Sequence, residues 1–274
     1  MPDKKTGWER ENRTHFDEVV ETYDKVRPTY PDEIFADIFE YAGNGKKTLE
    51  IGAGTGKATA PFLDAGYDVT AVELGANMSE FLQERFKGNE KFRVITATFE
   101  EAPLTDNTYN LIYAASAFHW VDAEIGCPKV FRLIKSGGTI ALFRYNAIPG
   151  IGAMYEEIQA VYTEHFYSYY TSGTWQSHRK TLEDYNTPAE IHSSFRCERL
   201  ENYGFNDVFM KLCYGEQTFS DDEYLSVLDT MSDHRALPES NRIALYAGIK
   251  DAINRHGGFY TRGYDFQLYM GRKV

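Results

Sequence analysis

Hydrophobic positions recur along this chain with two alternating periods. Residues 12–25 carry Phe16, Val19, Val20 and Tyr23 at helical spacing. Pro28 and Pro31 stop that pattern, because neither has an N–H to donate. Pro31-Asp32-Glu33 opens a second predicted helix with Ile34, Phe35, Ile38 and Phe39 on one side, and Gly43-Asn44-Gly45 ends it. From residue 48 short apolar runs alternate with amphipathic stretches. Strands are predicted at 48–51, 68–72, 92–97, 109–114 and 139–144, with helices at 55–65, 76–86 and 122–134 between them. This alternation predicts right-handed βαβ units and a mostly parallel sheet covered by helices on both faces.

The pattern changes after Pro149-Gly150. An aromatic-rich helix is predicted over 151–170, then a polar loop and a helix around 188–201. A strand follows from 203 to about 219, helices at 221–229 and 239–254, and a last strand over 258–270 in which Tyr264, Phe266, Leu268 and Met270 alternate. The two late strands fit the far edge of the same sheet. The expected organisation is an N-terminal helical segment (1–45), an α/β core (46–148 and 203–274) and a helical insertion (149–202) over the strand ends, where open α/β sheets take ligands.

Composition narrows the function classes. The chain has 42% hydrophobic residues and no long apolar run, so no membrane span or membrane partner is expected. The polar start, Met1 to Thr6, does not read as a secretory leader, and the expected location is cytoplasmic. A formal charge of −12 argues against nucleic acid, whose binding rests on basic surfaces. Cys127, Cys197 and Cys213 are widely spaced, and no Cys/His cluster suggests a metal or a disulfide framework. The chain has 20 tyrosines and 18 phenylalanines, much of this content after residue 150, and clusters such as Phe166-Tyr167-Ser168-Tyr169-Tyr170 read either as core or as pocket lining.

The candidate chemistry centres on Leu49-Glu50-Ile51-Gly52-Ala53-Gly54-Thr55-Gly56. A strand runs into three alternating glycines and then a predicted helix, a ready site for the polar part of a nucleotide-like cofactor. The dinucleotide fingerprint would require glycine where Lys57 stands. Glu73, at the end of the second strand, can accept from ribose hydroxyls in an NAD site or an S-adenosylmethionine (SAM) site alike.

Four stretches together discriminate: residues 50–56, Ala71-Val72-Glu73-Leu74, residues 97–104 (Ala-Thr-Phe-Glu-Glu-Ala-Pro-Leu) and Tyr109-Asn110-Leu111-Ile112. In that order they resemble the successive motifs of class I SAM-dependent methyltransferases, over residues 45–145. The element Tyr23-Asp24-Lys25-Val26-Arg27-Pro28-Thr29-Tyr30-Pro31, with Ser116-Ala117-Phe118-His119-Trp120, is similar to a subgroup related to trans-aconitate methyltransferase. The resemblance implies a Rossmann-like fold, a seven-stranded mostly parallel sheet with an antiparallel last strand and a helical insertion after strand 5. It also implies SAM as cofactor, S-adenosylhomocysteine as product, and a monomer or homodimer acting on a small-molecule acceptor.

The implied cofactor residues are Tyr23, Arg27, Glu50, Gly52, Ala53, Gly54, Thr55, Gly56, Glu73, Leu74, Met78, Thr98, Phe99, Glu100, Ala115 and Ser116. The glycines let backbone approach the methionine and ribose parts. Glu50 falls near the amino group, Glu73 at the ribose hydroxyls, Leu74 and Met78 along the adenine, and Thr98 and Phe99 on its other side. Relatives commonly have Asp where Thr98 stands, and a hydroxyl is a weaker acceptor for the adenine amino group. Tyr23 and Arg27 either close over the methionine end or dock an N-terminal helix with Arg27 in an ordinary ion pair.

Methyl transfer is an in-line displacement at a methyl on sulfonium, so alignment and exclusion of water matter more than charged groups. A carboxylate acceptor needs no base, whereas a hydroxyl or amine does. His119, just after the fourth strand, is the candidate base, the alternative being that it packs on the cofactor or bonds to backbone. His165, His178 and His192 form no spaced constellation; Tyr162, Tyr169, Tyr170 and Trp175 are candidate acceptor walls, and Arg144 a candidate partner for an acidic acceptor. Two other readings stay open: a catalytically silent SAM-binding scaffold, and an NAD-dependent oxidoreductase, which Lys57 weakens.

Overall fold

A computed structural model describes residues 9–170, 181–186 and 199–274. The chain forms two compact units. One comprises Thr29–Asn146, Lys180–Cys213 and Asp265–Val274; it is called the sheet unit below. The other comprises Met1–Pro28, Ala147–Arg179 and Tyr214–Tyr264, so residues 147–179 belong with two distant segments of the chain; it is called the aromatic unit.

Seven strands form one sheet: β1 (Lys47–Ile51), β2 (Asp68–Glu73), β3 (Phe92–Thr96), β4 (Tyr109–Ala115), β5 (Ile134–Ala147), β6 (Phe205–Ser220) and β7 (Phe259–Lys273), in the order β3-β2-β1-β4-β5-β7-β6. The pairs β1–β2, β1–β4, β2–β3 and β4–β5 are parallel, and the last strand is antiparallel. The reversal of order between β2-β1 and β4-β5 creates a switch point above β1 and β4, where such sheets bind ligands. β6 and β7 lie at the far edge, as their late alternation predicts.

The central strands read as apolar runs because both faces are covered. Leu49, Ile51, Val69, Leu111, Ile112, Ile140 and Leu142 are all fully or almost fully buried. In the sheet unit the helices are α2 (Asp32–Ala42), α3 (Thr59–Asp64), α4 (Ala76–Arg85) and α5 (Ala123–Leu133). α2 buries Ile34, Phe35 and Ile38, and ends where Gly43 takes a φ of 70°. One core cluster joins Leu49, Phe99, Ile112, Phe118, Val130, Leu133, Phe205 and Tyr269.

The aromatic unit holds α1 (Val20–Val26), α6 (Ala153–Tyr162), α7 (Asp221–Asp229), α8 (Ser232–Arg235) and α9 (Glu239–Arg255). Ser220 and Glu223 cap α7 reciprocally, which fixes its start. Ile158, Tyr162, Phe166, Tyr170, Tyr224, Leu228, Leu245, Ile249, Ile253 and Tyr260 form its core. Tyr162 and Tyr170, two candidate acceptor walls, are therefore core residues with 2% exposure each.

Four local expectations change. The first helix is a 3-10 segment, Arg10–Glu18, followed by α1, with β-branched Val19 at φ −133° breaking the run. α3 begins at Thr59 rather than 55, because Gly52, Gly54 and Gly56 adopt φ of 69°, 57° and 85°, a left-handed run that cannot continue into a helix. β5 begins directly after α5, with a register shift opposite Tyr109–Leu111 and Gly137 at φ 76°. The helix expected over 151–170 is α6 followed by a π-turn at Thr163–Tyr167. The predicted helix near 188–201 lies mostly outside the described residues, of which Leu200–Tyr203 forms a 3-10 turn.

Candidate cofactor site

Glu50 is the second-last residue of β1 and is fully buried among apolar neighbours. Its Oε2 accepts from the Thr59 hydroxyl at 2.6 Å and the Tyr113 hydroxyl at 2.9 Å, whereas Oε1 is buried with no hydrogen-bond partner. Burial pushes its carboxyl up to about 7; the bonds from Thr59 and Tyr113 oppose this, and the charge of Glu73 adds to it. The unmatched oxygen can accept from an N–H donor. The Thr55 hydroxyl, in the same turn, is likewise buried without a partner.

The three glycines differ in what surrounds them. A Cβ on Gly52 would lie 2.5 Å from Cβ of Ala117, so this glycine lets the turn approach the segment after β4. A Cβ on Gly56 would lie 2.7 Å from the Phe86 ring and 2.9 Å from Leu82, so this glycine serves the contact with α4. A Cβ on Gly54 would meet nothing within 4 Å: its α-carbon faces open space. Ala53 is buried with Ala71 and Leu82 behind the turn.

Glu73 ends β2, and its carboxylate accepts from the main-chain N–H of Gly54 at 2.7 Å and of Gly75 at 2.9 Å. Two lone pairs on each oxygen leave further capacity for hydroxyl donors. Leu74 is half-buried, while Met78 on α4 is 2% exposed and belongs to the inner face of that helix.

The segment after β3 is set by Lys129 of α5, a residue that sequence reasoning did not single out. Its ammonium donates to the carbonyls of Phe99 at 2.8 Å, Glu100 at 3.2 Å and Ala102 at 2.8 Å. Desolvation holds its pKa below the usual lysine value. The Phe99 ring is in the core, and the Thr98 hydroxyl bonds to Glu101 at 3.0 Å. Glu100 accepts from the N–H of Asp122 at 3.1 Å, linking this segment to the one after β4.

Beyond Ala115 the chain turns sharply: Ser116 has a φ of 52°. Its hydroxyl accepts from Tyr30 at 2.7 Å, and its N–H donates to the Phe143 carbonyl at 2.8 Å. Phe118 and Val121 are buried, which leaves His119 and Trp120 half-buried on a 3-10 turn, their rings 5.2 Å apart. Tyr30 belongs to the motif at 23–31 but was given no site role there. Arg144 donates to Asn146 at 2.5 Å, and Asn146 donates to the buried carboxylate of Asp265 at 3.0 Å, which Gln267 also reaches at 2.7 Å.

Two of the predicted cofactor residues, Tyr23 and Arg27, lie in the aromatic unit. Arg27 donates to the hydroxyl and the carbonyl of Thr230, at 2.8 Å each, and stands 5.1 Å from the Tyr23 ring. In the same unit the His165 carbonyl accepts from Asn241 at 3.0 Å. Trp175, His178 and His192 lie outside the described residues. Among the described residues no His, Cys, Asp and Glu group is arranged to hold a metal, and no helix is long and apolar enough to cross a membrane.

A sheet in this order, with a glycine turn after β1, a carboxylate ending β2 and a buried acid beneath the turn, defines the Rossmann-like fold of class I methyltransferases. Residues 49–142 match the methyltransferase domain family. An uncharacterised methyltransferase of Mycobacterium bovis is 33% identical over 133 residues, 48% of this chain and 53% of that protein. A probable S-adenosylmethionine-dependent methyltransferase of Saccharomyces cerevisiae is 30% identical over 130 residues, 45% of this chain and 44% of its own length. The chain thus spans about half the length of these curated relatives. A putative type II methyltransferase from Anaeromyxobacter dehalogenans has a similar fold, with a TM-score of 0.60 and 19% identity over 90% of this chain and 97% of that one.

Proposed function

We propose that this protein transfers a methyl group from SAM to a small-molecule acceptor, with a carboxylate or hydroxyl oxygen as the favoured target. The observation that carries the reading is the unmatched oxygen of buried Glu50 beneath a glycine turn that opens outward at Gly54. SAM supplies an electrophilic methyl on a sulfonium. Glu50 holds the ammonium end, whose charge keeps the carboxylate ionised. Glu73 takes the ribose hydroxyls while Gly54 and Gly75 keep its oxygens in place. Leu74 and the Thr98–Glu100 stretch flank the adenine, and Ala115 and Ser116 border the reacting end.

Carboxylate methylation needs no proton transfer, since the acceptor is already ionised at neutral pH. For a hydroxyl acceptor His119 is the base, half-buried and next to the Ser116 turn. The test is release of S-adenosylhomocysteine over a panel of carboxylic acids, phenols and amines, with methylated products identified by mass. Turnover on an acid or a phenol with the wild-type chain is expected. SAM binding with no product from any class would favour the silent scaffold.

A further inference from the structure

Arg262 lies on β7 within the aromatic unit and is only 7% exposed. Its guanidinium sits over two phenol rings, 5.7 Å from the centroid of Tyr224 and 5.6 Å from that of Tyr264. Nη1 is buried and has no hydrogen-bond partner, and no described carboxylate forms an ion pair with this residue. Four other arginines of the unit contrast with it. Arg27 donates to Thr230, Arg235 pairs with Glu18 and Asp229, Arg242 donates to a carbonyl and Arg255 pairs with Glu157.

A guanidinium N–H taken out of water without an acceptor is costly, and ring faces offset only part of that cost because they attract the charge without satisfying in-plane donors. The charge is felt by Tyr155, Tyr162 and Tyr260, and it is the cation acting on all three. The surroundings are neutral phenols and apolar ring surface. One planar cation, phenol donors and aromatic walls suit a planar monoanion carried on a hydrocarbon frame. A phosphate dianion fits less well, since a single cation faces it and the charge of Asp233 also acts on Tyr162.

We infer that Arg262, framed by Tyr224 and Tyr264, is the recognition residue of a binding site for a small organic carboxylate in the aromatic unit. The inference does not depend on methyl transfer. The full chain is titrated calorimetrically with benzoate, succinate and inorganic phosphate, and separately with SAM. At least one carboxylate should bind the wild type and raise its melting temperature, with phosphate at least tenfold weaker. Arg262→Met should weaken the carboxylate at least tenfold, leave SAM affinity unchanged, and melt no lower than the ligand-free wild type, because an unmatched buried charge has gone. Arg262→Lys keeps the charge but loses the planar fork, and should weaken binding several-fold; it carries the comparison if the methionine variant does not fold. No carboxylate binding by the wild type, equal binding by both variants, or tighter binding of phosphate would each overturn the assignment. The separate SAM titration reports on the methyltransferase reading by itself.

Discussion

The main-chain N–H of Gly54 donates to Oε2 of Glu73 at 2.7 Å, joining the turn after β1 to the last residue of β2. The same carboxylate accepts from Gly75, so one side chain orders both segments that would hold the ribose. Glu73→Ala removes these acceptors and the proposed ribose hydroxyl contacts together. SAM affinity should fall by about 2–3 kcal/mol, roughly 30- to 150-fold, by calorimetry. An unchanged dissociation constant would remove Glu73 from the site.

Gly54 and Gly56 predict opposite phenotypes for the same substitution. Gly54→Ala puts a methyl group into open space at a φ of 57°, at a strain of about 1 kcal/mol. Its effect should appear mainly as weaker SAM binding. Gly56→Ala drives a methyl against Phe86 and Leu82, and overpacking of about 1–3 kcal/mol should appear as a lower melting temperature. Thermal melts and SAM titrations of both variants separate the two roles.

With Glu50 at the proposed SAM site, stability and cofactor binding should depend on pH in opposite directions. Its folded-state value of about 7 exceeds the ordinary 4.5, so the folded protein holds this proton more tightly than the unfolded chain. Ligand-free stability should therefore fall as pH rises between those two values, by about 3 kcal/mol in all, and then level off. SAM affinity should rise over the same window as the carboxylate ionises. Glu50→Gln should flatten both profiles and weaken SAM, as denaturant melts and titrations at several pH values would reveal. Parallel profiles for the variant and the wild type would contradict this role.

Lys129 gathers three carbonyls of the segment after β3. Lys129→Met strands those acceptors and should cost about 2–3 kcal/mol of stability. Hydrogen exchange should quicken over residues 97–103 while the strand amides of β1 and β4 stay protected. Uniform exchange across the sheet unit would mean a general loss of fold instead.

The sheet was legible in the sequence because strands covered on both faces read as apolar runs, and Leu49–Ile51 and Leu111–Ile112 are such runs. The start of α3 was not, because three left-handed glycines use up the residues that helical periodicity would assign to its first turn. Tyr23, Arg27 and Tyr30 read as one motif. Their partners differ: Arg27 bonds to Thr230, Tyr30 to Ser116. Lys129 and Arg262 were missed for a common reason. A lone basic residue in an amphipathic helix or an alternating strand has the pattern of a solvated side chain, and only tertiary neighbours bury it. Asp265 was hidden in the same way, since β7 lies between two strands and buries both of its faces from Tyr264 to Gly271.

The central claim, that the turn after β1 is a SAM site, is tested most directly by calorimetric titration of the full chain with SAM and with NAD at pH 8, where Glu50 is mostly ionised. Saturable SAM binding at one site per chain, weakened at least tenfold by Glu50→Gln, is expected, with no heat from NAD. A folded protein that binds NAD, or that binds SAM equally well with glutamine at position 50, would contradict it.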